Sequence, residues 1–258
     1  MPSGFLKIDR HDHVATITFD RPPVNALDDE VFAEILETFS GVASDWDTRA
    51  VIFRSASDRA FCAGADLKSR GGQAPAAPLP TDSRRIPRDA MWSILDCPVP
   101  VIAAVGGPAL GGGLCLVACC DIIVASKKAR FGCPEIGVGL LGASSHLKRM
   151  VGPYRMRELY FTGRIVDASE MYEMGGISRV VEPEKLDEVA FSIAAEIATK
   201  SPPAVRLAKE SLNRVDEMPL KEAYRTEQEY TARLSRYEDS AEALAAFREK
   251  RPPRFKGR

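Results

Sequence analysis

Apolar residues along this chain follow two rhythms. Short apolar runs alternate with stretches in which apolar positions recur every three to four residues. Phe5 to Ile8 and Val14 to Phe19 have strand character, and the polar Asp9 to His13 between them suits a hairpin. Arg21-Pro-Pro-Val-Asn25 stops regular structure. Asp28 and Asp29 supply a cap and early acidic charge for a helix whose apolar positions Val31, Phe32, Ile35, Leu36, Phe39 and Val42 share one face. Ala50 to Arg54 reads as a short buried strand, and Arg84 to Asp96 as a helix ended by Pro98 and Pro100. Val101 to Ala125 is the densest stretch: a buried strand, a turn of glycines bare of side chains, a short helix and a second buried strand led by Asp121. A turn that bare lets backbone lie against a ligand.

A second bare segment, Phe61 to Leu67, follows the third strand, and Gly71 to Pro80 is too rich in Gly, Ala and Pro to pack a core, so it reads as a mobile loop. Beyond residue 125, Ala129 to Gly142 is glycine-rich with one isolated acid, Glu135. Helices are predicted for Ala143 to Met150, from Pro153 and for Ala168 to Met174, and a last strand for Arg179 to Glu182. After that the pattern is helix only, roughly 184–199, 203–215, 220–234 and 240–248. The alternation predicts an α/β core over residues 1–182 and a helical region over 183–258. These last helices are too few and too polar to form their own core, so they are expected to dock on the core or on another subunit.

Composition narrows the function classes. The 258 residues are enough for a substantial core, and a formal net charge of -1 gives no bulk attraction to nucleic acid or an anionic membrane. No apolar run approaches the roughly 20 residues of a membrane span, and the N-terminus lacks the build of a signal peptide, so a soluble, cytoplasmic protein is expected. The six cysteines sit mostly in apolar runs and read as reduced, buried thiols. Cys115, Cys119 and Cys120 share one predicted helix without the paired spacing of a zinc site, and no metal is expected. Gly111-x-Gly113 is followed by Leu116 where a dinucleotide fingerprint needs glycine. No Gly-Lys-Ser/Thr is present, and Gly142-Ala-Ser144-Ser-His146 breaks a nucleophile elbow.

Four segments in this order, Phe61-Cys-Ala-Gly-Ala-Asp-Leu-Lys68, Gly107-Pro-Ala-Leu-Gly-Gly-Gly113, Cys120-Asp-Ile-Ile-Val-Ala125 and Phe131-Gly-Cys-Pro-Glu-Ile136, resemble the crotonase superfamily, the enoyl-CoA hydratase/isomerase family. The resemblance runs from near residue 5 to the end. It implies a crotonase-like spiral of ββα turns with a C-terminal helical region involved in trimerisation, a homotrimer or homohexamer, and acyl-CoA thioesters as substrates. Coenzyme A would enter as part of the substrate, with no separate cofactor. By resemblance the amides of Ala65 and Gly112 form an oxyanion hole for a thioester enolate, chemistry in which each donor typically matters by about 2.7 to 4 kcal/mol. Asn25, Ala26, Leu27, Ala63, Asp66, Leu67 and Lys68 match segments lining the CoA channel. Phe247 and Lys250 match a C-terminal pair that reaches a neighbour's CoA. Lys68, Lys250 and Arg21 suit its phosphates, although Arg21 also reads as ordinary surface.

Hydratases of the family carry two glutamates, one two residues after the GGG and one in the Pro-Glu motif. The second is Glu135; at the first position stands Cys115. Syn hydration normally uses the pair, so one carboxylate fits better an enoyl-CoA isomerase or a carbon–carbon-cleaving acyl-CoA hydrolase. A non-catalytic acyl-CoA-binding protein is the other alternative. Cys115 reads either as an acid/base or as inert packing. His146 is a candidate second acid or base, or a structural hydrogen-bonder, in a segment expected to place polar side chains near the acyl pocket.

Overall fold

In the computed structural model, which describes residues 4–66 and 85–257, the apolar runs become strands that lie side by side. The N-terminal hairpin of β1 (Leu6–His11) and β2 (Val14–Phe19) is antiparallel. Chain then passes through α1 (Asp29–Ser44), capped by Asp28 accepting from Val31 N, to β3 (Ala50–Ser55), which runs parallel to β2. Helix α2 (Arg85–Leu95) leads to β4 (Val101–Val105). Next come β5 (Ala109–Leu110), α3 (Gly112–Ala118), β6 (Ile122–Ser126) and β7 (Arg130–Gly132). A 3-10 turn over Pro134–Val138 precedes α4 (Ser144–Val151) and α5 (Pro153–Thr162), followed by β8 (Val166–Asp167), α6 (Ala168–Glu173) and β9 (Arg179–Val181).

The larger sheet has the order β1-β2-β3-β4-β6-β9, parallel beyond the first hairpin, and β5-β7-β8 form a smaller sheet. Isolated bridges Leu27↔Ala65 and Cys62↔Ala109 continue the smaller sheet backwards along the chain. Each turn of the chain therefore leaves one strand in the large sheet, then a short strand or bridge in the second layer, then a helix. This is the crotonase-fold spiral of ββα turns. The short strands carry too few residues to show a period, which is why the sequence pattern leaves them out.

Two apolar clusters flank the large sheet. One packs α1, α2, α3 and the second layer, with Phe19, Phe39, Phe53, Phe61 and Phe131 fully buried. On the opposite face α7 (Leu186–Ala198) lays Leu186, Ala190, Ala194 and Ala198 against Val14, Ala50, Ile52, Ile102, Ala104 and Val124. The C-terminal helices thus dock on the core, α8 (Pro202–Val215) directly and α9 (Leu220–Leu234) against α8, with α10 (Glu238–Glu249) last. No helix among the described residues is long and apolar enough to cross a membrane.

Candidate active site

A cavity of ≈ 460 Å³ opens where the bare turns of successive spiral turns meet, lined by Leu27, Ala63 to Ala65, Gly111, Gly112, Cys115, Glu135 and apolar neighbours. Its floor is backbone. Leu27 N donates to Gly64 O (2.8 Å) and Asp66 N donates to Leu27 O (2.8 Å). In parallel pairing alternate residues bond the same neighbour, so the N–H of Ala65 faces the other way, and it has no acceptor among the described residues. On that side begins α3, whose first residue, Gly112, has no intrahelical acceptor for its N–H and none elsewhere among the described residues. The approach is close: a Cβ on Gly64 would lie 3.3 Å from Gly112 N, and one on Gly112 would lie 3.8 Å from Ala65 N. Two unpaired amides beside one cavity suit a developing negative charge on oxygen.

Glu135 sits in the 3-10 turn opened by Pro134, with its carboxylate packed on Gly111. Gly111 has φ +52°, and a Cβ there would come within 2.0 Å of Glu135 Oε1, so only glycine admits the carboxylate at this place. Oε2 is buried and accepts no hydrogen bond among the described residues. Burial lifts the Glu135 carboxyl above its ordinary range, partly offset by its own backbone N–H. The result is a half-buried carboxylate with one oxygen unpartnered among the described residues.

Cys115, on the first turn of α3, borders the same cavity while only 7% exposed. Burial first, and then the neighbouring Cys119, Cys133 and Glu135, push its thiol far above the normal value. It is a neutral thiol, and it cannot serve as a second ionised base.

The other wall differs from expectation. The sequence predicts that the segment 141–146 sets polar side chains near the acyl pocket, but its apolar end faces the cavity instead: Leu141, Gly142 and Ala143, with Leu140 before them, line it. Ala143 adopts a left-handed conformation (φ +63°), α4 starts at Ser144, and the turn carries Ser145 and His146 into a separate cleft with Trp92, Leu95, Cys119 and Asp216. Burial, with Arg149 adding to it, holds the His146 imidazole below its usual value. It does not share the cavity with Glu135.

Phe32, Pro87 and Val138 complete the walls. Sequence reasoning missed these, because each sits in an ordinary apolar context and only the spiral brings them together. Leu27 and Ala63 line the cavity. Asn25 does not present its side chain to a ligand: it is fully buried and donates to Phe19 O, Ser55 Oγ and Phe61 O. Half-buried Ala26 and Asp66 follow on the same paired loops, and Leu67 and Lys68 fall outside the described residues, as does the loop 71–80. Phe247 is 85% exposed on α10, and Lys250 terminates that helix with φ +53°; neither lines this cavity. Arg21, considered above for CoA phosphates, instead turns inward, over the Phe5 ring and toward Asp28 and Asp66. Among the described residues no cluster of three metal-ligating side chains occurs.

The chain is 40% identical over 243 residues, 94% of this chain and 93% of the relative, to the (7aS)-7a-methyl-1,5-dioxo-2,3,5,6,7,7a-hexahydro-1H-indene-carboxyl-CoA hydrolase of Rhodococcus jostii. It is 38% identical over 258 residues, 98% of each chain, to a probable enoyl-CoA hydratase of Rhizobium meliloti. The crystal structure of an enoyl-CoA hydratase from Bacillus anthracis superposes with TM-score 0.91 at 34% identity, covering 98% of this chain and 100% of that one. Residues 9–258 match the enoyl-CoA hydratase/isomerase family model, and the chain belongs to that family of acyl-CoA-processing enzymes.

Proposed function

We propose that this enzyme hydrolyses a carbon–carbon bond in an oxo-substituted, ring-containing acyl-CoA, using Glu135 as the only acid/base and the amides of Ala65 and Gly112 to hold a thioester enolate. The observation that carries this is a half-buried carboxylate with one oxygen unpartnered among the described residues, packed beside two amides that likewise find no acceptor there and opposite a neutral thiol rather than a second carboxylate. Glu135 takes a proton from water as the hydroxide oxygen bonds to the oxo carbon. The adduct collapses by breaking the bond to the carbon conjugated with the thioester, and the electron pair passes into the thioester carbonyl as an enolate. Glu135 then returns its proton to that carbon. One water is consumed, and a ring ketone becomes an open-chain carboxylic acid. A single base suffices because deprotonation of water and protonation of carbon are successive.

The apolar walls, from Leu27 and Phe32 to Leu140 and Leu141, suit a hydrocarbon-rich acyl group, and the cavity falls within the range of small-molecule sites. The 40% identity to a bicyclic dioxo acyl-CoA hydrolase supports the same substrate class. Coenzyme A enters as part of the substrate, and the subunits assemble as trimers or hexamers in which Phe247 and Lys250 reach a neighbour's CoA.

The test is turnover of a panel of 2-enoyl-, 3-enoyl- and cyclic 3-oxoacyl-CoA thioesters by the wild type and Glu135→Gln, read by mass spectrometry. A mass gain of one water on a cyclic oxo substrate, lost in Glu135→Gln, is the expected result. Conversion of 3-enoyl to 2-enoyl thioester alone makes the protein an isomerase. Binding without turnover of any of them makes it an acyl-CoA-binding protein.

A further inference from the structure

We infer that Arg21 is a positioning residue for the oxyanion hole, an inference that rests on the enolate chemistry proposed above. Its guanidinium is pinned from several sides. Arg21 Nη1 donates to Ala26 O at 2.7 Å, Nη2 pairs with Asp28, and Nη1 lies 3.5 Å from Asp66 Oδ2. Its backbone N–H donates to Asn25 Oδ1 (2.7 Å), while Asn25 Nδ2 donates to Phe61 O (3.0 Å) and Ser55 Oγ (2.7 Å). The side chain is 20% exposed. Arg21 and Asn25 thus tie the loop over residues 21–28 to the loop over residues 61–66, which carries the Ala65 amide.

The tie has a geometric and an electrostatic part. Geometrically, three rungs join the two loops: Ala63 N to Val24 O, Leu27 N to Gly64 O and Asp66 N to Leu27 O. These rungs decide that the Ala65 N–H faces the cavity. Holding Ala26 O and Asp66 at once, Arg21 fixes the register of the pairing at its open end. Electrostatically, the Asp66 carboxylate follows immediately after the oxyanion amide, and Asp28 stands on the paired loop. Negative charge so close opposes a negative charge on the thioester oxygen, and in a partly buried site it is poorly screened. The guanidinium between the two carboxylates cancels that field. A lysine keeps the charge but loses the planar fork that reaches Ala26 O and both acids together.

The experiment measures exchange of the α-protons of butanoyl-CoA with D2O, a step that needs only the oxyanion hole and the base, in the wild type, Arg21→Gln, Arg21→Lys and Arg21→Gln/Asp66→Asn. Arg21→Gln is expected to lower the exchange rate about 10- to 100-fold with the dissociation constant of free CoA changed less than about threefold. Arg21→Lys and the double variant are expected to recover several-fold of the loss, since one restores the cation and the other removes the negative charge that Arg21 faces. Exchange in Arg21→Gln within twofold of the wild type overturns the inference. So does a double variant no faster than Arg21→Gln, or loss of CoA binding in step with exchange. If Arg21→Gln does not fold, the comparison of Arg21→Lys with Arg21→Lys/Asp66→Asn decides on the same criterion. Absence of exchange in the wild type sinks the enolate chemistry and the clamp together, whereas exchange insensitive to Arg21 sinks only the clamp.

Discussion

At Glu135 burial raises the carboxyl pKa and leaves an oxygen without a donor among the described residues, which is costly for folding and useful for proton transfer. Glu135→Gln should lower kcat by about 10² to 10⁴, measured on whichever thioester the wild type turns over. The acid limb of the kcat/KM profile should lie above the ordinary 4.5 of a glutamate, because the ionised form is the proposed base and burial disfavours it. Stability follows the same sign. The folded-state pKa is raised above the unfolded one, so the folded state holds the proton more tightly, and Glu135 loses stability as pH rises through that window. Glu135→Gln should therefore melt higher than wild type by on the order of 2 °C at about pH 8, with the difference gone once pH falls below both values; a Gln variant that melts lower at neutral pH contradicts this. Cys115 is the complementary residue. Placing glutamate there sets two carboxylates in one cavity, one of which stays protonated beside the other. Cys115→Glu is expected to gain at least about tenfold in water addition to a 2-enoyl-CoA, followed by the loss of enoyl thioester absorbance. An unchanged rate would mean that the cavity excludes the hydrating water for some reason other than the missing carboxylate.

Helix α3 is the element on which the site turns, because its first amide is half of the proposed oxyanion hole and its first turn carries Cys115. It is held close to the loop over residues 61–66: a Cβ on Gly113 would lie 2.2 Å from Cys62 O and 2.9 Å from its carbonyl carbon. These are backbone atoms that cannot swing aside. Gly113→Ala should cost about 1–3 kcal/mol by overpacking in urea unfolding and should also slow turnover, since α3 must move away and take Gly112 N–H with it. Gly137→Ala, where nothing lies within 4 Å of the added methyl, should stay within about 0.5 kcal/mol of wild type. The bareness of this turn was visible in the sequence, as were the strands before and after it and the tail helices, because runs and periods of five residues or more carry their own signal. The β5, β7 and β8 strands were not, having two or three residues each. Nor was the placement of His146, since a left-handed Ala143 redirects the chain within one residue and nothing in an Ala-Ser-Ser sequence announces it. The role of Arg21 was hidden for a related reason: its partners Asp28 and Asp66 come from two loops that meet only through the spiral.

Across the whole molecule, the tail is fastened to the start of the strand that leads into the site. Lys209 of α8 is 4% exposed, and its Nζ donates to Asp121 Oδ2 at 2.7 Å and to Val99 O at 3.1 Å. Asp121 Oδ2 also accepts from Val101 N (2.7 Å), the first residue of β4. Asn213 Nδ2, one turn further along α8, donates to Leu95 O at the end of α2. The link therefore binds α8 to α2, β4 and the beginning of β6 in one polar knot, while α7 covers the sheet with an apolar face and is tied at its ends by Arg54 to Asp187 and by Arg49 to Ala198 O. A buried ammonium is stabilised only by its partners, so removing it strands an acid that keeps one backbone donor and some solvent. Lys209→Met is expected to cost about 2 to 4 kcal/mol, whereas Lys209→Met/Asp121→Asn should recover part of that loss because no unpaired charge remains. Urea unfolding at two wavelengths, or with a fluorescence and a circular dichroism probe, reads both quantities. Coincident transitions would mean that tail and core unfold as one unit, as the shared sheet face and this knot require; a separate early transition confined to the tail in the wild type would show that the knot holds less than its burial implies.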